Sequence, residues 1–115
     1  MQIPVVEYDD IQRIIKRDFP NKDLNLVEDI LEMYRTENDK GRNRVFASIL
    51  KLSNGDTKLA KTYVQKANYD YRDVIAKAEY PNYSAHAFDE DLPVELKQKL
   101  IESDWMQYQA WFNKA

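Results

Sequence analysis

The sequence predicts an all-α fold, a compact single-domain bundle of about five to six short helices, on three observations. Apolar residues recur at i, i+3/i+4 and i+7/i+8 through most of the chain, the spacing of an amphipathic helix. The periodic runs are separated by helix stop and start signals, such as Gly55 followed by Asp56. No segment alternates with period two, and the hairpin dipeptide Asn54-Gly55 sits between two helical patterns. At 115 residues the chain is read as one domain, 1–115, with enough surface to bury for a core without staples.

The elements follow in order. Residues 1–7 form a lead-in in which Pro4 disfavours helix and Ile3, Val5 and Val6 can pack as an extended arm. A first helix is expected at 9–18, with Asp9 and Gln12 at capping-box spacing, Ile11, Ile14 and Ile15 inward, Phe19 closing the end and Pro20 stopping it. A second is expected at 25–36, started by Asn25 with Glu28, with Val27, Ile30, Leu31 and Tyr34 on its stripe. Residues 38–41 form a polar break. The third helix, 42–53, turns Val45, Phe46, Ile49 and Leu50 inward and ends at Asn54-Gly55 in the left-handed conformation.

Two helices joined by an Asn68-Tyr69 corner then occupy 56–79, and the predicted core joins this pair to the aromatic last helix. Leu59, Ala60, Tyr63, Val64 and Ala67 form one stripe; Tyr71, Val74, Ile75 and Ala78 form the other. Asp56 caps the first, and Asp70 with Asp73 places carboxylates in the first turn of the second. Pro81 is expected to stop this pair, leaving 82–92 as the one long connection. A last helix begins near Pro93, with Leu96, Leu100, Ile101, Trp105, Tyr108 and Trp111 or Phe112 at helical spacing and a kink or restart at Ser103-Asp104.

Composition bounds the function. The balance of 43% hydrophobic and 32% charged residues is that of a soluble protein. There is no cysteine, hence no disulfide and no thiolate chemistry, which fits a reducing compartment and a cytoplasmic location. The first ten residues lack the basic and apolar regions of a signal peptide, and no window is apolar for the length of a membrane span. The formal charge is −3, acidic at both ends with a mildly basic middle. That balance makes nucleic acid an unlikely partner.

No chemistry-bearing constellation emerges. His86 is the only histidine, and none of Ser48, Ser53, Ser84 or Ser103 lies in a nucleophile-elbow context, so no catalytic residue is assigned and the chain is read as a non-enzyme. Asp89-Glu90-Asp91 lacks the alternation and central glycine of a calcium loop, and one histidine cannot make a zinc site, so no metal and no cofactor is expected. Gly41 and Gly55 are isolated and form no phosphate loop.

Recognition of another protein remains. Tyr69, Tyr80, Tyr83 and Phe88 lie in or beside loops, where aromatic side chains serve as interface anchors. The candidate partner-binding surface is Tyr80, Tyr83, Phe88, Asp89, Glu90 and Asp91, whose acidic triplet suits a basic partner. Small acidic cysteine-free helical proteins of this composition include inhibitors of basic nucleases such as immunity proteins, an analogy of composition alone. The alternative is a nucleic-acid-associated regulator with a helix-turn-helix-like pair at 57–80 and phosphate contacts from Arg42, Arg44, Lys51, Arg72 and Lys77, opposed by Asp70, Asp73 and Glu79. The run SNGDTKLAKTYVQKANYDYRDVIAKAEYP, with the later DWMQYQAWF, resembles small uncharacterised bacterial proteins that carry an NGD-helix-DYRDV-AEYP pattern. The resemblance covers about a third of the chain. It implies an all-α bacterial cytoplasmic protein and transfers no functional residue.

Overall fold

A computed structural model describes residues 1–36, 41–86 and 88–115. Among these it contains six helices and no strand: α1 (Tyr8–Asp18), α2 (Leu24–Glu32), α3 (Arg42–Ser53), α4 (Thr57–Glu79), α5 (Pro81–Ser84) and α6 (Val94–Phe112). The all-α bundle expected from the periodicity is what the chain forms, although its helices are partitioned differently. The polar break expected at 38–41 lies largely outside the described residues.

Local chemistry sets each boundary. α1 starts one residue earlier than expected because Glu7, not Asp9, is the N-cap: it closes a capping box with Asp10, whose carboxylate accepts the Glu7 N–H at 2.9 Å. α2 is capped by Asp23, not Asn25; the Asp23 carboxylate accepts the Asn25 N–H at 2.8 Å. It ends at Glu32 rather than 36 because Asn68 of α4 takes over there. The Asn68 amide accepts the Arg35 N–H at 2.8 Å and donates to the Met33 carbonyl at 3.0 Å, satisfying backbone groups that further helix would have used. α3 ends with both Asn54 (φ 49°) and Gly55 (φ 79°) left-handed. Gly55 is also fixed by space, since a Cβ there would lie 2.7 Å from the Asp18 carbonyl oxygen at the end of α1.

α4 is the pair of helices expected over 56–79, joined at a kink that falls at Asp70, just past the expected Asn68-Tyr69 corner. Only Asp70 (φ −155°, ψ 99°) leaves helical geometry, and it breaks the element in two. Its carboxylate accepts the Arg72 N–H at 3.1 Å, so it caps the start of the second helix. Asp56 caps the start as expected. α4 ends just before Pro81 as expected, and Pro81 also starts a short helix, α5, which shortens the long connection. α6 runs unbroken through Ser103-Asp104, with no kink or restart.

The core lies between α1, α2, α3 and α4, not between the α4 pair and the last helix as expected; Trp111 and Phe112 of α6 only pack against it partly buried. Ile11, Ile14, Ile15, Phe19, Val27, Ile30, Leu31, Val45, Phe46, Ile49, Leu50, Val64 and Val74 are buried, and Tyr34 meets Phe46 edge to face at 6.3 Å. The α3–α4 antiparallel pair is the most extensive contact. Three residues expected inward face solvent: Leu59 and Tyr71 of α4, and Leu96 of α6. The bend at Asp70 and the protrusion of the first turns of α6 account for the last two; nothing in the structure explains Leu59. In the N-terminal segment Pro4 is buried and Val6 half-buried against the core, whereas Ile3 and Val5 are exposed.

Candidate interaction surface

The connection carrying the candidate residues springs from a corner that α6 builds. Pro81 has no N–H to offer, but the next two amides at the start of α5 need acceptors, and Tyr80 supplies no side-chain cap. Asp104 of α6, completely buried, supplies both: its carboxylate accepts the Asn82 N–H at 3.2 Å, the Tyr83 N–H at 2.8 Å and the Asn82 side-chain amide at 3.0 Å. One turn further along α6, the Gln107 amide donates to the Ala78 and Glu79 carbonyls at 3.2 Å, closing the end of α4. Half-buried Lys51 of α3 completes this region. Burial pushes its ammonium below the usual lysine range, and attraction to Asp104 partly offsets that.

Beneath the corner, Glu79 is buried and held by Arg44 through two parallel bonds of 2.7 Å from Nε and Nη2. This hydrogen bonding raises the Arg44 guanidinium above its ordinary range against the opposing effect of burial. Arg44 is thus a structural cation, not an open phosphate contact. Arg72 is turned onto Asp70 at 3.0 Å and Arg42 onto Glu32, with its guanidinium also 5.3 Å from the Phe46 ring centre. The arginines singled out for nucleic-acid contact therefore have carboxylate partners on the protein itself.

The six candidate partner-binding residues divide into two groups. Tyr80 and Tyr83 are half-buried and pack edge to face with ring centres 6.5 Å apart, so they belong to the corner. Phe88 is 99% exposed and is followed by exposed Asp89, Glu90 and Asp91. Backbone bonds from Asp89 N to the His86 carbonyl and from Leu92 N to the Asp89 carbonyl fold this stretch into successive turns. The His86 imidazole stands at the surface 3.7 Å from the Asp89 carboxylate. Ser48 and Ser53 are buried and donate to the Arg44 and Ile49 carbonyls of their own helix. Among the described residues no three His, Cys, Asp or Glu side chains converge in an arrangement that would hold a metal.

Sequence reasoning missed the residues that position this surface. Asp104 was taken for a kink and Gln107 was not singled out. Arg13 and Arg17 of α1 were also passed over. Arg17 donates to the Trp111 and Lys114 carbonyls at 2.8 and 2.9 Å, and Arg13 to the Phe112 carbonyl at 2.9 Å. Their guanidinium groups stand 5.3 Å from the Trp111 and Phe112 ring centres, pinning the end of α6 by charge, dipole and ring face together. One signal was available: Pro81 follows a residue that cannot cap, so the amides of α5 had to find a distant carboxylate. No helix among the described residues is long and apolar enough to cross a membrane. No protein-family model, curated protein or solved structure matches this chain.

Proposed function

We propose that this chain is a non-enzymatic, cytoplasmic interaction protein that presents Phe88 with Asp89, Glu90 and Asp91 to a basic protein surface, in the manner of an acidic inhibitor. The observation that carries the proposal is the phenyl ring of Phe88, almost fully in water at the head of three exposed carboxylates. An aromatic anchor supplies contact area at low entropic cost, and flanking charge steers encounter. The corner built by Asp104 and Gln107 supports the proposal by giving the connection a fixed base. Tyr80 and Tyr83 contribute their exposed edges at that base.

Engagement of Arg42, Arg44 and Arg72 by the chain's own carboxylates weighs in favour of protein over nucleic acid as the partner. The test is crosslinked capture from the native host, followed by binding kinetics on variants. Replacing Asp89, Glu90 and Asp91 by their amides should slow association and weaken its salt dependence. Phe88→Ala should accelerate dissociation about tenfold or more. A captured partner that binds both variants like the parent would overturn the proposal.

A further inference from the structure

The bend in α4 leaves a groove of about 420 Å³, within the size range of roughly 300–1,000 Å³ typical of ligand pockets. Buried Val74 and half-buried Tyr63 are its apolar part; Lys66, Lys77 and Tyr69 are its exposed cationic and aromatic part. Tyr69 is 93% exposed, and the Lys66 ammonium lies 5.1 Å from the Tyr63 ring centre. Arg17, Arg42, Arg44 and Arg72 all have carboxylate partners, but among the described residues no ion pair holds Lys66 or Lys77. Lys58 and Lys61, earlier in α4, are exposed as well. The groove thus calls for an apolar or aromatic group attached to several negative charges. Phe88, the most exposed aromatic among the described residues, followed by exposed Asp89, Glu90 and Asp91, has that composition.

We propose that the α4 groove receives the Phe88 loop of a second copy of this chain. The ring of one copy packs against Tyr63 and Tyr69 of the other, while its carboxylates meet Lys66 and Lys77. The proposal rests on the preceding assignment of the loop as a contact surface, and it names a partner for it. Because loop and groove are different surfaces, the contact is heterologous, and copies join head to tail into rings or open chains. The contact area is small, so association is weak and salt-sensitive. Asp73, on the groove rim, opposes the incoming carboxylates.

Sedimentation velocity on the full chain, across micromolar to millimolar concentration and at low and high salt, tests this. The parent should associate reversibly at low salt and dissociate at high salt, and Asp73→Asn should tighten association severalfold. Phe88→Ala, with a damaged loop, and the double variant Lys66→Glu/Lys77→Glu, with a damaged groove, should each be monomeric with parental melting temperatures. An equimolar mixture of the two should form one-to-one pairs, since each supplies the half the other lacks. A monomeric parent throughout, a mixture that stays monomeric, or association that survives Phe88→Ala would overturn the inference. An oligolysine peptide separates this failure from that of the proposed function. Lysine-peptide binding that is lost with the three loop amides, in a chain that does not self-associate, sinks only the second-copy contact; no binding of either kind sinks both. A phenylalanine-capped oligoglutamate that fills the groove of a monomeric chain assigns the groove to a different acidic protein and likewise overturns the inference.

Discussion

At the scale of single residues, two buried polar groups set opposite expectations. Glu79 is 3% exposed and depends on Arg44 for both of its bonds. Glu79→Ala leaves the guanidinium without its anion and should cost about 3–5 kcal/mol in urea denaturation. Replacing both partners by methionine should recover much of that loss, because an apolar pair needs no desolvation of charge. Tyr108 is the reverse case: it is fully buried against Trp111 and Phe112, yet among the described residues its hydroxyl has no partner. Tyr108→Phe should therefore stabilise the fold by about 1 kcal/mol. Burial first, and the Glu79 carboxylate second, push the Tyr108 phenol above its ordinary value. The unfolded chain gives up this proton near pH 10 while the folded one keeps it, so the resulting stability is complete below about pH 10 and declines as pH rises. The variant should show a shallower alkaline decline; Tyr8 and Tyr34, also raised first by burial, keep part of the slope, and Lys51, lowered by burial, opposes it. None of these partnerships was legible in the sequence. Arg44 and Glu79 are 35 positions apart, and nothing in spacing or composition ties one charge to another across that distance.

At the scale of elements, stripes were legible and ends were not. The inward sets of α1, α2 and α3 were correct because each follows from a single period of 3.6. Ile75→Ala should cost about 2–5 kcal/mol, since Ile75 is buried as the stripe required. The ends went astray wherever a group from elsewhere in the chain supplied the cap: Asn68 for α2 and Asp104 for α5. Asp104→Ala should leave the Asn82 and Tyr83 amides unpaired, cost about 1–3 kcal/mol and speed their hydrogen exchange ahead of the rest of the protein. Unchanged protection at 82 and 83 would show that the cap does not hold α5. Gly55→Ala meets both a left-handed backbone and the Asp18 carbonyl at 2.7 Å, and should lower the melting temperature more than an alanine at an exposed helical site. The candidate surface was legible only in part, because exposure of Phe88 and partial burial of Tyr80 and Tyr83 depend on how α5 folds back on α6.

At the scale of the whole molecule, far-ultraviolet circular dichroism should show helix alone and a single cooperative melt. A sheet signal, or separate transitions for α6 and the α1–α4 core, would contradict one cooperative unit. The grip of Arg17 on α6 reaches across 94 positions, whereas α3 and α4 are neighbours in the chain. During synthesis the α3–α4 pair is therefore complete while the aromatic end of α6 is still to be translated. Contacts between sequence neighbours form early, and those that close the longest loop form last. Arg17→Ala should accordingly speed unfolding with little change in the folding rate, while alanine at Ile49 should slow folding. The Phe88 loop hangs between these early and late parts. Until α6 docks, Asp104 is not in place to seat α5, so the surface proposed for recognition is finished only once α6 has docked.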